Sequence, residues 1–251
     1  MNITSPKNLT GKVALVTGAS RGIGAAIAQR LAAEGAAVAI TYNSSPAKAN
    51  EVVRTIEQAS GRAIALPADS ANAAAIRAAV SKTVETLGRL DIVVNNAGIL
   101  ALGDISQLTE ADFDKTINVN VRAVFIATQA AIPHMKEGGR IINIGSTNAD
   151  RMPFPGGSIY AMSKSALVGL VKGLARDLGP KGITINNIQP GPVATEMNPP
   201  DGDFAKVLLP LIAVNRYGHD SEIGALVAFL AGPESGYITG ASLTIDGGFS
   251  A

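Results

Sequence analysis

Short apolar runs alternate along the chain with longer stretches in which apolar residues recur at helical spacing. Residues 12–17 (KVALVT), 36–41 (AAVAIT), 62–66, 91–95 (DIVVN), 140–145 (RIINIG), 183–189 and 242–245 are runs of strand length. Between them, residues 22–34 place Ile23, Ile27 and Leu31 on one helical face, and residues 46–60, 72–87, 110–135, 158–178 and 221–230 also read as helices. Pro133 lies near the end of the long 110–135 helix, and Gly179-Pro180 stops the 158–178 helix. Apolar runs without in–out alternation are strands covered on both faces. Regular strand–helix alternation joins parallel strands by right-handed crossovers. The pattern predicts an α/β fold: one doubly wound, mostly parallel seven-stranded sheet with helices on both faces.

Composition narrows this. The 251 residues are 47% apolar and 16% charged, a folding composition, and no linker or repeat divides them, so residues 1–251 are expected to form a single domain. Aromatic residues make up only 4%, with no Trp, which suits an aliphatic core. The formal net charge of +1 predicts neither a nucleic-acid partner nor an anionic membrane surface. The absence of Cys excludes disulfides, thiolate metal sites and a Cys nucleophile, and with only His134 and His219 no metal site is expected. The polar stretch 1–10, with Pro6, lacks the apolar core of a signal peptide, and no apolar run is long enough to span a bilayer. A cytoplasmic location is the expectation.

The first strand runs directly into Thr17-Gly18-Ala19-Ser20-Arg21-Gly22-Ile23-Gly24. Glycines at this spacing allow a tight turn, close approach of backbone to a pyrophosphate, and close helix packing. The helix that follows offers unpaired N–H groups to the phosphates. Strand, turn and helix together give a Rossmann-type dinucleotide site, although an ordinary glycine-rich turn would read similarly in isolation. At the end of the second strand, Thr41-Tyr42-Asn43-Ser44-Ser45 holds no carboxylate to bind ribose hydroxyls. Arg21 can pair with a 2′-phosphate, and Asn43, Ser44 and Ser45 can donate hydrogen bonds to it. The alternative is a solvated Arg21 and serines that cap the next helix. The expected cofactor is NADP(H).

Hydride transfer to a carbonyl builds negative charge on its oxygen, and a proton must arrive there. Tyr160 is the candidate donor. A free phenol titrates near ~10, so work near neutral pH calls for roughly 4 kcal/mol of differential stabilisation of phenolate. Lys164, four residues on and so on the same helix face, is expected to supply much of it. Ser146, just past the fifth strand, can orient the substrate oxygen.

These motifs, in order along nearly the whole chain, resemble the short-chain dehydrogenase/reductase family: TGASRGIG at 17–24, Asp69 after the third strand, NNAG at 95–98, Asn120, Ser146, Tyr160 with Lys164, Pro190-Gly191 with Thr195, and Ile245-Asp246-Gly247-Gly248. The resemblance implies a catalytic tetrad of Asn120, Ser146, Tyr160 and Lys164, with Asn120 holding a water that links Lys164 to solvent. It implies that Asp69, with Ser70, meets the adenine and that Asn96, Ala97 and Gly98 line the adenine ribose. Pro190, Gly191, Val193 and Thr195 would border the nicotinamide, Lys164 would hold the nicotinamide ribose, and the assembly would be a homotetramer. Without the resemblance, Asp69 reads as a helix-start residue and residues 95–98 as a polar turn.

Residues 193–216 are expected to lid the site, with Met197, Phe204, Val207, Leu208, Leu211 and Ile212 favouring an apolar or acyl substrate or simply packing the lid. The expected substrate is a ketone, aldehyde or secondary alcohol. Resemblance to 3-oxoacyl-carrier-protein reductases offers an acyl thioester as the alternative, but Glu137 stands where those enzymes carry a basic docking residue, beside Lys136, with Lys181 as the other candidate. Residues 145–191, including Asn148-Ala149-Asp150-Arg151-Met152-Pro153, also resemble a subgroup that binds cyclic-di-GMP in biofilm dispersal, which gives a binding alternative to turnover.

Overall fold

Seven parallel strands form the sheet in the computed structural model, which describes residues 7–251; residues 1–6 of the polar opening stretch, Pro6 included, lie outside the described residues. The strands are β1 (Val13–Val16), β2 (Ala37–Tyr42), β3 (Arg62–Pro67), β4 (Ile92–Asn95), β5 (Arg140–Ile144), β6 (Thr184–Pro190) and β7 (Ser242–Ile245). Their order is β3-β2-β1-β4-β5-β6-β7, and every pairing is parallel. The mostly parallel expectation therefore becomes wholly parallel among the described strands. The chain reverses its direction of travel across the sheet between β1 and β4, and at such a switch point the crossovers part to leave a crevice at the carboxyl ends.

Strand alternation builds two cores from the same runs. Ala14, Val16, Val38, Ile40, Ile92, Val94, Ile142 and Ile144 point to one face, against α1 (Gly22–Ala33), α2 (Pro46–Gln58) and α8 (Asp220–Ala231). Val13, Leu15, Ala39, Val93, Ile141 and Ile185 point to the other. There they meet α3 (Ala73–Leu87), α5 (Ala123–Ala131) and α6 (Ser158–Leu178). This two-sided burial is why the strands read as unbroken apolar runs.

The 110–135 stretch is not one regular helix. It is α4 (Glu110–Ile117), a π-helical turn (Asn118–Arg122), α5, and a closing 3₁₀ turn (Ile132–His134) at Pro133. Periodicity cannot reveal the wider turn, because helical residues continue on both sides of it. Asn120 sits in that turn with its side chain turned into the protein, 1% exposed. The segment after β6 includes α7 (Asp203–Leu208), a helix that the apolar spacing does not predict, and a 3₁₀ turn. Among the described residues no helix is long and apolar enough to cross a membrane.

Candidate active site

At the carboxyl ends of the strands lies a cleft of about 730 Å³. Every site residue singled out from the sequence, from Gly18 to Thr195, lines it, with the exception of Asn120, which stands behind Gly98.

The glycine turn is shaped by what it touches. Gly18 has φ +63°, and a β-carbon there would lie 2.8 Å from the Ala97 Cα. A β-carbon on Gly24 would lie 2.5 Å from Asn96 Nδ2 and 2.7 Å from the Gly18 carbonyl. Asn96 does structural work in this packing. Its Nδ2 donates to the Thr17 and Gly18 carbonyls at 2.9 and 3.0 Å. The backbone N–H groups of Asn96 and Ala97 donate to Thr17 Oγ1 at 3.0 and 3.1 Å, and the Gly18 N–H donates to Thr41 Oγ1 at 3.0 Å. Thr17 and Thr41 stand in the quoted stretches, but their bracing hydroxyls leave no trace in the spacing. They tie the turn to β4 and β2. α1 begins with Arg21 in an extended conformation, with no side-chain cap and no acid in its first turn. Its free N–H groups and dipole can therefore act on an anion in the cleft.

The end of β2 brings a correction. Ser45 occupies the position before α2 without making a side-chain cap bond. Arg21 is not free: its guanidinium is 3.6 Å from Glu196 of the segment after β6. The same carboxylate accepts from Lys48 Nζ at 2.7 and 2.8 Å, and the Lys48 hydrogen bond, helped by Arg21, holds it below the usual carboxylate range. The strand end carries no acid of its own, yet one reaches over it from the segment after β6, 148 residues beyond the Lys48 it pairs with. Asp69 lines the cleft and accepts the Ala71 N–H at 2.9 Å, while the start of α3 is capped by Asn72 and not by Asp69.

Ser146, Tyr160 and Lys164 converge across the sheet end from β5. Desolvation pushes the Tyr160 phenol above its ordinary value, against a lowering hydrogen bond with the buried Ser146 hydroxyl. The expected downward pull from Lys164 is absent. Lys164 Nζ donates to the Ile144 carbonyl at 2.8 Å and sits 5.7 Å from the Tyr160 ring centroid. Burial lowers the ammonium itself to about 8. Tyr160 is therefore held protonated at neutral pH, the form that can give a proton away. Asn120 Nδ2 donates to the Ile99 carbonyl and to Ser163 Oγ, and its Oδ1 accepts the Ile99 N–H. A β-carbon on Gly98 would lie 3.4 Å from Lys164 Nζ and 3.5 Å from Asn120 Oδ1, so the lysine and the asparagine both approach the face of that glycine where a side chain would project.

The far end of the cleft is apolar. Leu100, Leu102, Phe154, Met197, Phe204, Leu208 and Phe249 line it, and Phe154 meets Phe204 edge to face with centroids 5.0 Å apart. Phe154, Phe249, Leu100 and Leu102 carry no motif and come from three separate parts of the chain. Arg151, from the stretch compared with the cyclic-di-GMP subgroup, donates to the Phe249 carbonyl and so fixes the chain end over the cleft.

A doubly wound sheet with a bare glycine turn at its switch point, facing the half-buried Tyr160 between the buried Ser146 and Lys164, defines a dinucleotide-dependent oxidoreductase. The chain belongs to the short-chain dehydrogenase/reductase family. A family model described as Enoyl-(Acyl carrier protein) reductase matches residues 18–250. The short-chain dehydrogenase/reductase from Serratia marcescens is 61% identical, with a TM-score of 0.96 over 97% of this chain and 100% of that one. A short-chain dehydrogenase from Burkholderia cenocepacia, solved in complex with NADP, is 55% identical with the same coverage and a TM-score of 0.96. The cyclic-di-GMP-binding biofilm dispersal mediator protein of Escherichia coli is 47% identical over 96% of this chain and 98% of its own length.

Proposed function

We propose that this protein is an NADPH-dependent carbonyl reductase, reversible as an alcohol dehydrogenase. The observation that carries this is a half-buried phenol and a buried serine hydroxyl opening onto one cleft with the glycine turn, the phenol pushed above its ordinary value by desolvation. The residues present fit the cofactor: Gly18 and Gly24 let the turn pack against Ala97 and Asn96 with no side chain of its own at those positions, and α1 opens on the cleft with no side-chain cap and no acid in its first turn. NADP over NAD is supported by Arg21, by the acid-free end of β2 and by the NADP complex of the Burkholderia relative.

Bound NADPH supplies the hydride to the carbonyl carbon. Ser146 holds the carbonyl oxygen by a hydrogen bond, and Tyr160 delivers the proton there as charge develops. Lys164 places a positive charge beneath the site and holds the nicotinamide ribose. Asn120 fixes the Ile99 backbone through both ends of its amide, and so keeps the loop after Gly98 clear of Lys164. Residues 193–216 act as the lid, and with Phe154, Phe204 and Phe249 they suit a ketone or aldehyde with an apolar substituent.

A panel of aliphatic and aryl ketones and aldehydes, assayed with each cofactor, tests this. The expected outcome is NADPH oxidation that depends on an apolar carbonyl and exceeds the NADH rate by at least about tenfold. No turnover of any member with either cofactor would remove the reductase reading. The 47% identical relative favours one second reading, that the same cleft binds cyclic-di-GMP. Calorimetric titration decides it, and silence at micromolar ligand removes it.

A further inference from the structure

Two carboxylates line the cleft near the end of β2 among the described residues: Asp69, which follows β3, and Glu196, which comes from the lid. The Glu196 carboxylate is held by Lys48 in the first turn of α2 through both oxygens and approached by Arg21 at the start of α1. Arg21 lines the cleft with Asn43-Ser44-Ser45, the place where a doubly wound fold meets the adenosine ribose, and Lys48 follows three residues after Ser45 and reaches the cleft wall through Glu196. A carboxylate between an ammonium and a guanidinium is a smaller version of a phosphate in the same position, with one negative charge in place of nearly two.

We propose that Glu196 sets the preference between NADP(H) and NAD(H) by competing with the 2′-phosphate for Arg21 and Lys48. The 2′-phosphate and the Glu196 carboxylate cannot share both cations without placing nearly three negative charges together. Seating NADP(H) therefore detaches Glu196 from Lys48 and frees the start of the lid. NAD(H), which lacks that phosphate, leaves the ion pairs intact. The lid thus senses which cofactor is bound, and its own acid lowers the selectivity that Arg21 and Lys48 would otherwise confer. All three side chains are at least two-fifths exposed, so the isolated ion pairs are weak. The competition matters because the rival ligand is a dianion drawing on the same two charges. Thr195 and Asn198, which exchange backbone hydrogen bonds on either side of Glu196, couple its position to the nicotinamide end of the lid.

The inference rests on the NADP(H) reading above and is tested by binding, not turnover. The chain has no Trp, so the emission of bound reduced nicotinamide is free of indole overlap and reports Kd directly. The adenosine fragments 2′,5′-ADP and 5′-AMP, titrated by calorimetry, isolate the phosphate. For Glu196→Gln, the expected result at low salt is a Kd for NADPH and 2′,5′-ADP lowered about fivefold, with NADH and 5′-AMP changed less than about twofold. In a Lys48→Gln background, which itself weakens NADPH, the gain from Glu196→Gln should shrink to less than about twofold. All substitutions are on exposed side chains, and an unchanged melting temperature verifies folding. An unchanged or weaker NADPH affinity in Glu196→Gln, or an equal gain for NADH and NADPH, would overturn the competition while leaving the cofactor assignment standing. If the wild type bound neither NADPH nor 2′,5′-ADP, the cofactor reading would fall first and this inference with it.

Discussion

Tyr160→Phe is expected to lower carbonyl-dependent NADPH oxidation about a thousandfold while leaving the Kd for NADPH within about threefold of the wild-type value. The substitution removes one oxygen and keeps the ring, which packs beside Lys164. Burial keeps that phenol protonated well into the alkaline range, so at neutral pH the lost group is a proton donor and not a charge. Without it, the developing alkoxide has the Ser146 hydroxyl and solvent, and neither replaces an aligned acid. Steady-state rates with the best carbonyl of the panel, paired with a fluorescence titration of NADPH, separate chemistry from binding. Turnover at the wild-type rate would show that the proton reaches the substrate by another route.

Lys164→Met is expected to reduce turnover by at least about a hundredfold and to change how stability depends on pH. Burial lowers the Lys164 ammonium to about 8, against about 10.5 in an unfolded chain. The native state therefore releases this proton before the unfolded state does as pH rises. Between about pH 8 and pH 10.5 the unfolded chain binds more protons, so this group makes stability rise with pH. Below about pH 8 the full cost of a buried charge is present in the wild type. Methionine carries no such cost at any pH. From pH 6.5 to pH 9.5 the wild type should gain about 2 kcal/mol relative to Lys164→Met, on the order of 5 °C in melting temperature. Thermal melts of both proteins across that range check it, and parallel pH profiles would mean that the ammonium is not desolvated in the native protein. The methionine also leaves the Ile144 carbonyl without its partner, a pH-independent loss that shifts the curves without altering their divergence. A charge held at such a cost, with one backbone carbonyl as its partner, fits a group kept for catalysis and not for the fold.

The chain's own order of residues was enough for the seven strands and for most of the helices between them, though not for α7, whose six residues are too short for a helical period to show. An apolar run such as 12–17 or 140–145 states its burial locally, because a two-sided strand needs apolar side chains on both faces. It was also enough for the glycine turn and for Tyr160 with Lys164, since a tight turn and a shared helix face are matters of spacing within a few residues. It was not enough for the π turn around Asn120, where both neighbours remain helical and the periodicity hides the extra residue. Nor could it separate Asn96 the cofactor contact from Asn96 the brace of Gly18 and Gly24, because that depends on how closely β4 approaches the turn.

Electrostatics was decided by the tertiary structure alone. Spacing places Lys164 on the face of Tyr160, yet the sign of the phenol's shift comes from desolvation in the cleft and from Lys164 turning to Ile144. Composition around β2 finds no acid, yet Glu196 arrives there from the lid and meets Lys48 across 148 residues. The same holds for the apolar end of the cleft, assembled from Leu100, Phe154, Phe204 and Phe249. Hydrophobic period and turn chemistry act over one or two helical turns and leave a local trace. Desolvation and charge pairing act through space, between residues whose nearness is a product of folding.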